Sequence, residues 1–299
     1  MSKNISPIII TGMHRSGTSL LAKLAKDLGL FAGTKLDPNC ESIFFQQLNI
    51  WLLQLAGANW SNPIAFNILL NHRLLREQCE AIIRHWVLTR GCWNYMGIWS
   101  FLRYHSIYNL PDPWGWKDPR SIITLPIWLD IFPQAKVIYL IRNGVDVANS
   151  LQRRSNQSLE KGIEYTSKLN KKWINRWKCY NRWTQSSELP SITDSSRCLS
   201  LESAFELWEE YMQIADQNLQ NLPENQKIII RFEDFLENGV KNLKKICEFI
   251  GLSANSERIK NQSEKYIIVD RAYAYKEDYK LMRFYSGIKT RTYMRKYGY

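Results

Sequence analysis

Pro7-Ile8-Ile9-Ile10-Thr11-Gly12-Met13-His14-Arg15-Ser16-Gly17-Thr18-Ser19-Leu20-Leu21 is the stretch that decides the fold. Three consecutive β-branched residues predict a buried strand. Leu20, Leu21, Leu24, Ala25 and Leu28 then recur at helical spacing, and Gly29 offers a carboxyl-terminal cap. The turn between strand and helix is rich in Gly, Ser and Thr, so its N–H groups can converge at the positive end of the helix dipole. That makes a site for a phosphate-like anion.

Gly12 and Gly17 have the separation of a Walker A loop, but Thr18 stands where that motif carries its Lys. The nearest replacement cation is Arg15; a connector without a ligand is the plain alternative. A second strand is predicted at Lys136–Ile141, followed by Arg142-Asn143-Gly144 and a helix. Ser150 and Arg154 lie four residues apart on one face of that helix, and Arg142 sits at the strand end from which it departs, so the three can converge on one anion. Trp114-Gly115-Trp116-Lys117-Asp118-Pro119-Arg120 forms a third informative stretch, in which an aromatic strand end delivers a Lys and a carboxylate before Pro119 stops it. Taken alone, it also fits an exposed loop with a surface ion pair.

Together these stretches resemble the sulfotransferases that use 3′-phosphoadenosine 5′-phosphosulfate, in particular the bacterial small-molecule branch. Arg15-Ser16-Gly17-Thr18-Ser19 looks like their 5′-phosphosulfate loop, and Arg142, Ser150 and Arg154 match the 3′-phosphate-binding element. Lys117-Asp118-Pro119 is similar to the run in tyrosylprotein sulfotransferases whose Lys reaches the transferring sulfuryl group. The resemblance implies an α/β fold, a P-loop-type parallel sheet flanked by helices, with helical insertions forming the acceptor cleft. It further implies one sulfotransferase domain over residues 1–299, with 155–201 as a variable insertion or lid and 271–299 as a basic, Tyr-rich segment. The implied donor is 3′-phosphoadenosine 5′-phosphosulfate, the product adenosine 3′,5′-bisphosphate, and the partner a small-molecule acceptor, with no metal. The nucleotide would be held by Arg15, Ser16, Gly17, Thr18, Ser19, Arg142, Ser150 and Arg154. Arg15 and Lys117 would act on the reacting group, with the amides of Ser16 to Ser19 as further donors. Asp118, Glu41 and His14 are unranked candidates for the general base. Ile43-Phe44-Phe45-Gln46 resembles a family element that ends in Glu; Gln46 replaces that carboxylate, and Glu41 could serve instead, although by itself Glu41 reads as a surface residue.

The chain has 299 residues, 45% of them hydrophobic, and a net charge of +12. The charge is concentrated between Arg153 and Arg182 and between Arg271 and Tyr299. Basic segments with interleaved Trp can grip nucleic acid, but no nucleic-acid fold signature accompanies them, so no nucleic-acid partner is expected. A metal-dependent kinase is disfavoured by Thr18 at the Lys position. The six cysteines have no CxxC pairs, and no apolar run is long enough to span a bilayer, so a cytoplasmic protein with no membrane partner is expected. Trp51, Trp60, Trp86, Trp93 and Trp99 are numerous enough that some could face a ligand, while core packing is the expectation for any single one. Glu233 and Asp234 are read as structural at a turn and helix start.

Overall fold

The computed structural model describes residues 6–171, 192–268 and 271–299; residues 172–191 of the expected lid, with Trp173, Trp177 and Trp183, lie outside them. Four strands, β1 (Ile8–Gly12), β2 (Gly115–Lys117), β3 (Lys136–Ile141) and β4 (Lys227–Arg231), form a parallel sheet in the order β2-β1-β3-β4. Ile9 pairs with Trp116 on one side and Val137 on the other. The helices that position the site are α1 (Thr18–Leu28), α2 (Ile43–Leu55), α3 (Arg73–Leu88), α4 (Ser121–Ile131), α5 (Gly144–Lys171), α6 (Leu201–Leu219), α7 (Gly239–Ile250) and α8 (Tyr279–Ile288).

Both faces of the sheet are covered, which is why β1 and β3 read as unbroken apolar runs rather than alternating ones. Ile8, Ile10, Ile138 and Leu140 pack with Leu21 and Leu24 of α1 and Leu243 and Ile246 of α7. Ile9, Trp116, Val137, Tyr139 and Ile141 face the larger core, with α2, α4 and α6. Within it Phe45 stacks on Trp116 at 3.9 Å and nearly parallel, fixing α2 against β2.

Successive crossovers place β2 on one side of β1 and β3 on the other, so the chain reverses direction of winding between β1 and β3. The carboxyl ends of these neighbours bound a crevice, the usual ligand position in such a sheet. The loop after β1 is held close by two glycines. Gly12, at φ +154, would drive a Cβ to 2.4 Å from the Leu140 carbonyl oxygen. Gly17, at φ +90, would drive one to 2.3 Å from the Phe232 ring. Gly17→Ala is therefore expected to cost about 2–4 kcal/mol, combining a left-handed backbone with overpacking. An unchanged urea-unfolding midpoint would contradict this close approach.

Three of the tryptophans expected in the core are not there: Trp86 and Trp93 are about half exposed, and Trp99 is 82% exposed. Residue type alone misleads here, because the core is already filled by Trp114, Trp116, Trp128 and Trp208. The basic carboxyl-terminal segment spends part of its charge internally. Arg291 pairs with Glu209, Lys296 and Tyr297 reach Asp216, and Tyr299 donates to Glu233 at 2.7 Å. Glu233 also accepts the Asn143 amide at 2.9 Å, the structural use expected of it.

Candidate active site

The loop after β1 and the start of α5 meet directly. Arg15, a non-glycine residue at φ +72, turns its side chain so that Nε donates to Ser150 Oγ at 2.8 Å. Arg142 donates to the Arg15 carbonyl at 3.3 Å and to the Arg271 carbonyl at 3.2 Å, lies 3.6 Å from Asp146, and stacks over Phe232. Phe232 thus sits between Gly17 and Arg142. Asp146 in turn accepts the Tyr275 amide at 2.8 Å, which ties the carboxyl-terminal segment to α5.

Arg15, Arg142, Ser150, Arg153 and Arg154 line a cavity of about 400 Å³. Arg153 was not singled out as a site residue in the sequence, although it lies one helical turn beyond Ser150. Arg154 is shared: it pairs with Asp194 at 2.8 Å and lies over the Trp60 ring. Partial burial, then Arg154, Arg142 and Arg271, lower the pKa of Arg15 from its ordinary value. Arginines crowded so that each disfavours the others' charge are a favourable setting for a polyanion.

In the loop, the Ser16 amide donates to the Met13 carbonyl at 3.2 Å, which removes it from the donors expected of the turn. The Ser16 hydroxyl oxygen, by contrast, is buried with no hydrogen-bond partner. The amides of Gly17, Thr18 and Ser19 stand at the start of α1, where no earlier turn offers them a carbonyl.

A second group adjoins the loop through Ser19, whose hydroxyl accepts from Lys117 Nζ at 3.2 Å. Lys117 is buried and pairs with Glu41 at 2.7 Å. This overturns two plain readings of the sequence: Lys117 and Asp118 are not an exposed pair, and Glu41 is not a surface carboxylate. Glu41 is drawn inward because it has two cations to meet, Lys117 and Arg120 (2.6 Å), and it also accepts from Gln46 at 2.7 Å. Asp118 accepts from Arg120 and from Asn49, at 2.9 and 2.8 Å. Neither Arg120 nor Asn49 is among the site residues that the sequence points to. Arg120 follows the Lys-Asp-Pro motif and could have been suspected, but nothing local marks Asn49. Its wholly buried amide also donates to Ser121 and accepts from Thr124 and Trp128, making it the joint between α2, β2 and α4.

Burial pushes Asp118 up to about 6, against the pull of Arg120 and with help from Glu41. Its ordinary value is 3.8, so from about pH 4 to pH 6 the native chain holds a proton that the unfolded chain lacks. The Asp118 contribution therefore favours folding in acid and is lost as pH rises through 6, by about 3 kcal/mol. The difference in urea-unfolding free energy between wild type and Asp118→Asn should fall by that amount from about pH 4 to pH 7.5. A constant difference would mean that Asp118 remains ionised throughout.

His14 stands between the two groups. Its ring meets Trp60 edge-on at 5.0 Å, and Nε2 is shielded from solvent with no hydrogen-bond partner. Burial, then Arg120, Arg154, Lys117 and Arg15, hold its pKa well below the ordinary imidazole value, so it is neutral at pH 7. Among the three candidate bases it alone has a nitrogen free of partners; Glu41 and Asp118 each have both oxygens engaged.

Among the described residues, no cluster of His, Cys, Asp and Glu could hold a metal ion, and no helix is long and apolar enough to cross a membrane. Cytosolic sulfotransferase 14 from Arabidopsis thaliana is 25% identical over 211 residues, which cover 68% of this chain and 52% of the plant protein. The chain thus spans about half the length of that relative. Among solved structures, the sulfotransferase domain from the curacin biosynthetic pathway aligns over 95% of this chain and 98% of its own, at 15% identity and a TM-score of 0.49. Mouse sulfotransferase SULT7A1, solved in complex with PAP, aligns over 91% of this chain and 66% of its own, at 14% identity and a TM-score of 0.40. The sulfotransferase domain family model matches residues 6–296, a span that takes in the loop after β1, the Arg142–Ser150 element and the Lys117 group, and the chain belongs to that family.

Proposed function

We propose that the protein transfers the sulfuryl group of 3′-phosphoadenosine 5′-phosphosulfate to a hydroxyl or amine of a small acceptor, a natural product such as an alkaloid, phenol or sugar. The observation that carries this reading is the direct contact between the two anion-binding elements, Arg15 to Ser150 at 2.8 Å and Arg142 to the Arg15 carbonyl. A nucleotide with a phosphate at each end needs two such elements within reach of one adenosine. Arg142 and Ser150, with Arg153 and Arg154, would hold the 3′-phosphate. Arg15, the Ser16 hydroxyl and the amides of Gly17, Thr18 and Ser19 would hold the 5′-phosphosulfate.

The donor supplies a sulfur that an acceptor attacks in line while the bond to the phosphate oxygen breaks, leaving adenosine 3′,5′-bisphosphate. Negative charge grows on the departing phosphate and on the sulfuryl oxygens, where preorganised cations and N–H groups stabilise it. Lys117 is suited to this because its ammonium is fixed by Glu41, Ser19 and the Asn39 carbonyl and needs little reorganisation. Glu41 and Asp118 serve as positioning groups for Lys117 and Arg120. The free Nε2 of His14 takes the acceptor proton. A bound polyanion offsets the four cations that depress His14, so its basicity rises when the donor is in place.

Calorimetric titration with adenosine 3′,5′-bisphosphate, followed by an acceptor screen with labelled donor, tests the reading. Saturable binding that persists in a chelator supports it. Failure to bind the bisphosphate, or preference for ATP with Mg²⁺, overturns it.

A further inference from the structure

The segment from Ala81 to Pro111 contains no Asp or Glu but carries Arg84, Arg90 and Arg103 with His85 and His105. It also presents a series of exposed apolar side chains. Trp86, Trp93, Ile98 and Leu102 are each about half exposed, and Trp99 is 82% exposed. The helix Ile98–Tyr104 buries none of its residues. It rests on the short helix Trp93–Met96, whose Tyr95 and Met96 are buried and whose Tyr95 hydroxyl bonds to the carbonyls of Phe31 and Gly115. The apolar face is therefore mounted on the rigid edge of the sheet. Apolar surface also continues inward beside Trp86, into a cavity of about 500 Å³ lined by Phe44, Leu48, Trp51 and Trp86, with Lys35 as its cation.

Nothing in the proposed chemistry uses this surface, and exposed Trp, Ile and Leu flanked by Arg with no acid among them have the chemistry of a membrane-interface element. We propose that the exposed apolar side chains of this segment, Trp86, Trp93, Ile98, Trp99 and Leu102, together with the cations Arg90 and Arg103 that it carries, dock on an anionic phospholipid surface. An isologous contact would pair this acid-free segment with its own copy and bring no carboxylate of the segment to Arg90 and Arg103, whereas anionic headgroups complement them. The expectation of no membrane partner rested on the lack of a spanning segment, and a face that lies on a bilayer needs none.

Cosedimentation of the full chain with vesicles of phosphatidylcholine alone, or of equimolar phosphatidylcholine and phosphatidylserine, tests this. Partitioning should be at least about ten-fold stronger to the anionic vesicles and should weaken sharply in about 0.5 M salt. Trp99→Ser with Leu102→Ser, both exposed and so compatible with an unchanged thermal midpoint, should lower it about ten-fold. Arg90→Glu with Arg103→Glu should lower it at least about 25-fold, from roughly five-fold per arginine. The proposal is overturned if wild type shows no preference for anionic vesicles or if the Ser variant sediments like wild type. It is equally overturned if Trp99 and Leu102 instead support self-association in sedimentation velocity, which would assign the face to a second copy.

Discussion

Arg142→Ala is expected to weaken adenosine 3′,5′-bisphosphate binding by roughly 30- to 5,000-fold, because truncating one partner of a desolvated charged contact costs about 2–5 kcal/mol. Arg142 makes several contacts at once, to the Arg15 and Arg271 carbonyls, to Asp146 and to the Phe232 ring. Lysine cannot reproduce that set, so Arg142→Lys should recover only part of the affinity. Removing Arg142 also leaves the largely buried Asp146 without its cation, so the milder Ser150→Ala is the useful companion. It removes one hydroxyl from the cavity and should cost about 0.5–1.5 kcal/mol. Calorimetry on both variants, with circular dichroism as a check on folding, decides the matter. Bisphosphate affinity within a few-fold of wild type in a folded Arg142→Ala protein would remove Arg142 from the nucleotide site.

His14→Ala is expected to lower turnover by about 10²- to 10⁴-fold with little change in bisphosphate affinity, as for loss of a general base. The pH dependence separates this from a packing defect. In the free protein the His14 pKa is held well below its ordinary value by burial and by four neighbouring cations. With the bisphosphate bound, its titration followed by NMR should move upward. A base must be neutral to act, so turnover should fall as pH drops through the raised value, and this acidic limb should vanish in His14→Ala. Turnover unchanged by the substitution would return the role to Glu41 or Asp118.

The parts of the proposed nucleotide cradle are legible in the sequence because each is local. A β-branched run, a Gly-rich turn and a helical repeat mark the loop after β1, and one strand end with one helix face carries Arg142 and Ser150. The parallel sheet is what the resemblance carried by these motifs implies, and the four strands do pair in parallel. What could not be read depends on contacts between distant segments. Glu41 is buried because Lys117 and Arg120, some 80 residues later, come to meet it; no property of its neighbours announces this. Asn49 is likewise an ordinary polar residue in a largely apolar helix until Asp118, Thr124 and Trp128 close around it. Trp86, Trp93 and Trp99 depart from the core for a related reason. Composition shows that large side chains are present but not which of them the core has room for, and Trp114, Trp116 and Trp128 had already filled it.

The ring of Phe232 is set against Gly17 on one side and Arg142 on the other, so in the proposed nucleotide site it would space the two anion holds. It would make that site a gauge of length as well as of charge. Adenosine 2′,5′-bisphosphate has the same net charge but a different span, and it would satisfy one hold while missing the other.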